Sequence, residues 1–171
     1  MDYKKIIGNM SATKLADFYR LCVKRKTMLE YRDRLSELNH CIDLIKKCWE
    51  NVDKNDIKQS SGPVNPGLMA VMGYHVGDTE GVNHYYRRLI IQDVLIGALP
   101  LVGNKRYMDY WGADNSDERF AAMKNWLNFR ANDPKHKNHH RALDEWKSDL
   151  SWLLKQYDLY GDNFGGYNPN D

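Results

Sequence analysis

The sequence predicts an all-α protein, in which an N-terminal helical hairpin or coiled coil is joined by a polar linker to a small helical domain. Apolar residues recur at helical spacings, no segment shows the alternation of a β-strand, and residues 11–52 contain no glycine or proline. The predicted regions are a helical region 1–52, a linker 53–66, a helical module 67–158 and a flexible tail 159–171. The Gly, Asn and Asp content of the tail predicts that it frays.

A heptad seam is the clearest pattern in the N-terminal region. Its apolar residues alternate at spacings of three and four, and they are Met28, Tyr31, Leu35, Leu38, Ile42, Ile45 and Trp49. Such a seam must be buried against another helix or a second copy of the protein, so we predict self-association through these residues. The pattern leaves open whether the seam closes within one chain or between chains.

A break is predicted near residues 24–27. Leu15, Phe18 and Cys22 form an apolar stripe that is offset by one position from the seam, and charged residues separate the two. One long helix and a tight hairpin are both allowed by the residue types, and the offset favours a break or turn. Residues 51–66 are rich in Asp, Asn, Lys, Ser, Gly and Pro, which is typical of a linker.

Three longer helices are predicted in the module. The first covers residues 83–99, where Pro100 stops it. The second opens at Asn115, because Glu118 follows three residues later as in a capping box. The third covers about residues 139–158 and presents leucine and tryptophan residues on one side.

The amino-acid composition limits the classes of protein to which this chain can belong. The chain is 42% hydrophobic and 28% charged, and no apolar run approaches the roughly 20 residues of a membrane span. No signal peptide is visible, so we predict a cytoplasmic protein that does not insert into membranes. Three cysteines, an odd number, favour reduced thiols over a disulfide framework.

Basic residues suggest nucleic acid as a partner, although the net charge is only +2. They gather in a Tyr-Tyr-Arg-Arg helix segment, after that helix, and in the connection ahead of the last helix. The predicted nucleic-acid contacts are Arg87, Arg88, Lys105, Arg106, Arg130, Lys135, Lys137, His139 and Arg141. On helical spacing Arg87 and Arg88 are expected to be exposed, and an ordinary solvated loop is the competing interpretation of residues 135–141.

Catalysis is not predicted. The glycines form neither a dinucleotide-binding fingerprint nor a phosphate-binding P-loop, and the paired carboxylates lie where first helical turns ordinarily attract acids. His136 and His140 have helical spacing, but no nearby carboxylate or cysteine completes a metal site. We therefore expect no cofactor and no metal.

Several motifs together resemble a known but uncharacterised module. They are Gly73-Tyr74-His75-Val76-Gly77, Arg87-Arg88-x-x-Ile91, Trp111-Gly112 with Ser116 and Arg119, and Trp146-x-x-Asp149-Leu150-x-x-Leu153. Residues 68–157 resemble a helical module found at the carboxyl ends of bacterial and phage-related proteins, several of them in DNA-processing or defence settings. The resemblance implies an accessory helical domain in a DNA-linked setting.

Two hypotheses follow. The first is a non-enzymatic helical accessory protein that self-associates and contacts nucleic acid or a nucleic-acid-bound complex. The alternative is a small phage-type inhibitor or adaptor that binds a protein complex, such as a bacterial defence complex, through Trp111, Trp126 or Trp152 and the acidic tail.

Overall fold

Helices are the regular secondary structure of the residues that the computed structural model describes, namely residues 2–26, 28–51, 67–79 and 81–171. The α-helices of these residues are Tyr3–Gly8 (α1), Ala12–Lys26 (α2), Leu35–Glu50 (α3), Leu68–Val71 (α4), His84–Ile96 (α5), Lys105–Tyr110 (α6), Asp117–Asn132 (α7) and His140–Tyr160 (α8). Short 3₁₀ helices are Leu29–Arg34, Pro134–His136 and Phe164–Gly166. No strand occurs in these ranges, so the all-α prediction is confirmed. The predicted linker 53–66 lies outside the described residues.

The structure divides into two compact units. The first consists of the described residues of 1–73 together with 98–108, and the second consists of 74–97 and 109–171. The units interleave along the chain, because residues 98–108 return to the first unit after α5. The predicted regions, by contrast, follow one another without interleaving.

In the first unit, α2 packs against α3. Tyr19 on α2 meets Trp49 on α3 with the ring centroids 5.2 Å apart, and both side chains are buried. The Ser11 hydroxyl accepts a hydrogen bond from the Lys14 backbone N–H at 3.4 Å, which supports the start of α2. The helix ends at Lys26, as the phase offset predicted.

Within one chain, the structure buries only the second half of the predicted heptad seam. The seam residues that α3 buries are Leu38, Ile42, Ile45 and Trp49. A 3₁₀ helix precedes α3, and its three residues per turn do not continue the spacing of the seam. Met28 and Leu35 are exposed within one chain, so burial of the seam from Met28 onward by self-association stays a prediction.

A polar cluster links α1 with the beginning of α3. The Tyr3 hydroxyl donates a hydrogen bond to one oxygen of Glu37, and Arg34 Nε donates to the other at 2.6 Å. The hydrogen bond from Arg34, and then the one from Tyr3, lower the pKa of the Glu37 carboxyl to about 2. Glu37 is therefore ionised at neutral pH and joins two elements of the unit.

In the second unit, α7 and α8 pack together, and α5 packs against both. Asn83 caps α5 by accepting a hydrogen bond from Tyr86 N–H at 2.8 Å. Ser116 caps α7 by accepting from Arg119 N–H at 3.1 Å. The predicted cap at Asn115 is wrong by one residue, because Asn115 has a positive φ of 51° and lies in the preceding turn.

The C-terminal segment is packed, so the prediction of a flexible tail is wrong. Phe164 and Tyr167 are buried, and Phe164 stacks on Phe120 of α7 at a centroid distance of 5.8 Å. Trp152 Nε1 donates a hydrogen bond to the Asn168 carbonyl at 2.8 Å. Two buried aromatic rings outweigh the loop-forming composition, because each ring removes a large apolar area from water.

Candidate functional site

A buried ion network lies at the centre of the second unit, around Asp149 of α8. The Asp149 side chain is fully buried, and Arg87 of α5 is 3% exposed. Arg87 Nε donates to Asp149 Oδ2 at 2.6 Å, and Arg87 Nη2 donates to Oδ1 at 3.4 Å. The Tyr74 hydroxyl donates to the same Oδ2 at 2.6 Å, so three donors surround one carboxylate.

The protonation states in this network follow from burial and charge. Burial, and then the negative charge of Asp149, raise the pKa of the Tyr74 hydroxyl well above its usual value. Burial acts to lower the pKa of Arg87, but the hydrogen bond and the charge of Asp149 outweigh it and leave that pKa raised. Tyr74 therefore stays a neutral donor and Arg87 stays a cation.

The network continues from Asp149 toward the surface through Glu145, one turn earlier on α8. Glu145 Oε1 lies 3.4 Å from Arg87 Nη1, and Glu145 Oε2 accepts a hydrogen bond from Gly77 N–H at 2.7 Å. At the exposed end, Arg141 Nε donates to Glu145 at 3.3 Å and Arg141 Nη1 donates to Asp78 at 3.0 Å. Arg141 is thus engaged by two carboxylates.

Arg88 is held on the other side of Asp149. Its Nε lies 3.8 Å from Asp149 Oδ1, and its Nη1 donates to the Pro169 carbonyl at 3.2 Å. The guanidinium also lies over the Trp152 ring, 5.5 Å from the centroid. These contacts connect α5, α8 and the C-terminal segment.

The expected exposure of Arg87 and Arg88 is therefore wrong. Arg88 is 8% exposed, only slightly more than Arg87. The physical reason is that Asp149 lies on the buried face of α8 and requires cations to compensate its charge. Both arginines are occupied by protein acceptors, so neither supports a nucleic-acid contact.

Arg119 is a second buried cation, on α7. Its guanidinium donates only to backbone carbonyls, which are those of Val94 at 2.6 Å, Gly97 at 3.0 Å, Trp111 at 2.9 Å and Gly112 at 2.9 Å. Burial lowers the pKa of Arg119 to about 10, which still leaves it charged at neutral pH. Arg119 satisfies carbonyls at the end of α5 and in the turn after α6.

An exposed basic segment, residues 130–141, joins α7 to α8. It contains Arg130, Lys135, Lys137 and Arg141 against a single carboxylate, Asp133. Asp133 is buried and accepts a hydrogen bond from Lys135 N–H at 3.0 Å, so its charge is directed at the backbone of the turn. Lys135, Lys137 and Arg141 are exposed.

The basic segment is fixed in place by aromatic contacts. The His136 ring meets the Trp146 ring edge-on with a centroid distance of 5.1 Å, and it also contacts the His139 ring at 5.8 Å. Arg130 lies over the Trp126 ring, 5.7 Å from its centroid. The exposed cations are therefore presented by an ordered turn rather than by a loose loop.

The start of α8 lies inside this segment. His139 occupies the N-cap position without a side-chain hydrogen bond to the helix, and the first turn contains no acidic residue. The helix then continues for 21 residues. An uncapped helix start combines unsatisfied backbone N–H groups with a positive dipole end, and both favour an anion.

Two further predicted nucleic-acid contacts, Lys105 and Arg106, lie outside the basic segment. Both are exposed on α6, in the part of that helix that belongs to the first unit.

The tryptophans predicted to contact a protein partner differ in burial. Trp111 and Trp152 are buried, whereas Trp126 is half-buried. Trp111 and Trp152 therefore belong to the core, which removes them as partner contacts.

Sequence reasoning missed Tyr74, Glu145 and Arg119 as members of polar networks, and it did not assign Asp149 a partner. One signal was available: Asp149 lies three residues after Trp146 and four before Leu153, on the apolar side of the helix. An acid at that position needs a cation nearby. The sequence did not show which arginine supplies it.

Among the residues that the structure describes, no group of three or more His, Cys, Asp and Glu side chains is arranged to hold a metal ion. None of the described helices is long and apolar enough to cross a membrane. Comparison with known proteins found no matching family model, no similar curated protein and no similar solved structure.

Proposed function

We propose that the chain is a non-enzymatic helical accessory protein that contacts the phosphate backbone of nucleic acid through the basic segment 130–141. The observation that supports this proposal is the uncapped start of α8 beside the exposed cations Lys135 and Lys137. Arg141, in the first turn of the helix, is paired with Glu145 and Asp78. Backbone N–H groups and basic side chains together make a phosphate the natural ligand.

The proposal narrows the predicted set of contacts. Arg87 and Arg88 are excluded because the buried network uses them. Arg130 remains, beside the half-buried Trp126. Self-association stays a prediction: α2 already covers the buried half of the seam within one chain.

The test is fluorescence anisotropy of labelled single- and double-stranded DNA and RNA, titrated with the full chain at several salt concentrations. The variant Lys135→Gln/Lys137→Gln removes two exposed cations. If both contact phosphates, it lowers affinity about 25- to 60-fold at 0.1 M salt and reduces the salt slope by about 1.4 to 1.8.

The matched control is Lys4→Gln/Lys5→Gln, which removes the same charge from exposed positions of α1. We expect it to bind like the wild-type protein. Equal losses in the two variants would show that only overall charge matters, and would contradict the proposed segment. Absence of binding at low salt would contradict nucleic-acid contact altogether.

The alternative, an inhibitor or adaptor of a protein complex, has support from exposed apolar side chains. Phe129 is 61% exposed, and Leu159 and Tyr160 are exposed at the end of α8. If nucleic acid does not bind, Phe129→Ser and Leu159→Ser become the variants to compare in affinity capture from host lysate.

A further inference from the structure

The C-terminal segment, residues 162–171, lies in a groove formed by α5, α7 and α8 of the second unit. Phe164 is fully buried, and its ring stacks on Phe120 of α7 at a centroid distance of 5.8 Å. Gln92 of α5 donates hydrogen bonds to three carbonyl groups of the segment at 3.1–3.2 Å. The segment therefore has both a buried anchor and a polar clamp on its backbone.

The rest of the groove also addresses the main chain of the segment. Gln156 Oε1 accepts a hydrogen bond from Asn168 N–H at 2.7 Å, and Trp152 Nε1 donates to the Asn168 carbonyl at 2.8 Å. Arg88 Nη1 donates to the Pro169 carbonyl at 3.2 Å. We call this groove the tail groove, and its residues are Arg88, Gln92, Phe120, Trp152 and Gln156.

Gly161 connects α8 to the segment in a conformation that favours glycine. Its φ is 57° and its ψ is −134°, a combination that residues with a Cβ adopt only under strain. Among the described residues, no heavy atom lies within 4 Å of the place where a Cβ at position 161 would be. A side chain added there would thus strain the backbone without a steric clash.

We propose that the tail groove accepts the C-terminal segment of a second copy of this chain, exchanged by opening of the backbone at Gly161. Each copy would then supply the Phe164 anchor of the other. The groove meets the same segment in the closed monomer and in the exchanged dimer, so their contacts largely cancel. The two forms differ in the conformation of the hinge and in the entropy cost of association.

The closed monomer is favoured at low concentration. The Tyr167 hydroxyl donates to the Gly161 carbonyl at 3.0 Å, and a short connection holds the segment at an effective concentration on the order of 1 mM. We therefore expect wild-type dimer at about 1 mM protein and above. Strain at position 161 favours the dimer at least about 5-fold per hinge, hence at least about 30-fold for two hinges.

The experiment compares full-length wild-type protein with Gly161→Ala, each refolded from urea at concentrations from about 10 µM to about 1 mM. Light scattering measures the dimer dissociation constant, and circular dichroism checks the helix content. We expect the constant of Gly161→Ala to be at least about 30-fold lower. The matched control is Gly165→Ala, at a glycine of the segment without a positive φ, and it should behave like wild-type.

A second measurement shows whether the dimer forms by exchange. Isotope-labelled and unlabelled chains are refolded together, and filtered nuclear Overhauser spectra then detect contacts between chains. We expect a contact between the Phe120 ring of one chain and the Phe164 ring of the other. Wild-type protein refolded at about 1 mM gives the same test without any substitution.

Three results would overturn the proposal. The first is a Gly161→Ala dissociation constant no lower than that of wild-type or of Gly165→Ala. The second is a dimer in which Phe120 contacts Phe164 only within one chain, as expected for association through the seam of α3. The third is that both wild-type and Gly161→Ala remain monomeric up to about 1 mM.

Discussion

Asp149 is the residue whose replacement tests the buried ion network most directly. Asp149→Leu keeps a similar volume but removes the acceptor of the Tyr74 hydroxyl and of Arg87. Arg87 then remains a buried cation without its principal partner. We expect this variant to fold less stably without changing its helical architecture.

The size of the effect follows from the contacts. Two donors reach Asp149 at 2.6 Å, and hydrogen bonds to a charged group contribute about 1.5–3 kcal/mol each. Removing one partner of a buried ion pair costs about 3–5 kcal/mol. We therefore expect the free energy of unfolding to fall by about 4 kcal/mol, or about a thousandfold in the unfolding equilibrium.

Urea denaturation in a Trp49→Phe background isolates the second unit. Trp49 is the tryptophan of the first unit, and the other four, at positions 111, 126, 146 and 152, belong to the second. Fluorescence then reports the unit that contains Asp149, while circular dichroism reports both units. An unchanged slope with denaturant shows that the free energy has changed rather than the surface exposed on unfolding.

The double variant Arg87→Met/Asp149→Leu separates charge compensation from packing. Removing both charges avoids the uncompensated cation, so we expect its loss to be at least about 2 kcal/mol smaller than the sum of the single losses. Strict additivity, or an Asp149→Leu loss below about 1 kcal/mol, would refute the reasoning. The exposed end of the network supplies the control, since Asp78→Asn should not shift the midpoint measurably.

Three further predictions concern other contacts. Arg119→Met leaves several buried carbonyls without their donor, and we expect a loss of about 3 kcal/mol in urea denaturation; a smaller loss in Arg119→Met than in an exposed control would contradict this role. Phe164→Ala removes a fully buried ring, and a loss of about 3–5 kcal/mol is expected in the same assay, whereas a wild-type midpoint would mean that the C-terminal segment is not packed. Glu37 has a folded-state pKa of about 2, below its ordinary value, so the stability that its ionised carboxylate contributes is present above about pH 4.3 and is lost toward pH 2. The difference in urea midpoint between wild-type and Glu37→Gln should therefore shrink as the pH falls across that window. A difference that stays constant would exclude the effect.

Helical periodicity predicted the positions of α3, α5, α7 and α8 because each buries an apolar stripe. It did not predict that Met28 and Leu35 are exposed within one chain, because their apolar spacing is the same as in the buried half of the seam. The difference is the 3₁₀ conformation of Leu29–Arg34, which changes the number of residues per turn. Spacing alone cannot distinguish an α-helical turn from a tighter one.

The C-terminal segment shows a limit of composition. Its glycines and asparagines are typical of a loop, and the segment is indeed irregular apart from Phe164–Gly166. Irregular backbone can still be firmly held when another element supplies the hydrogen-bond partners. Gln92 of α5 does so by donating to the carbonyls of Phe164, Gly165 and Tyr167 at 3.1–3.2 Å. A glutamine 72 residues before Phe164 gives no sign of this role in the sequence.

The same reasoning explains which cations could be assigned from the sequence. Arg87 lies on a helix where Tyr86, Ile90 and Ile91 are also buried, so α5 has more than one buried face and helical phase does not separate structural from exposed arginines. Lys135 and Lys137 could be assigned as exposed because they follow Pro134 in a short connection between helices. The one carboxylate of that connection, Asp133, accepts a hydrogen bond from the backbone. Arg87 and Arg88 of α5 are paired with buried Asp149. Lys135 and Lys137 of the basic segment are exposed, close to the uncapped start of α8. An external anion is the partner that this second arrangement favours, which is why the phosphate-binding test belongs at residues 130–141.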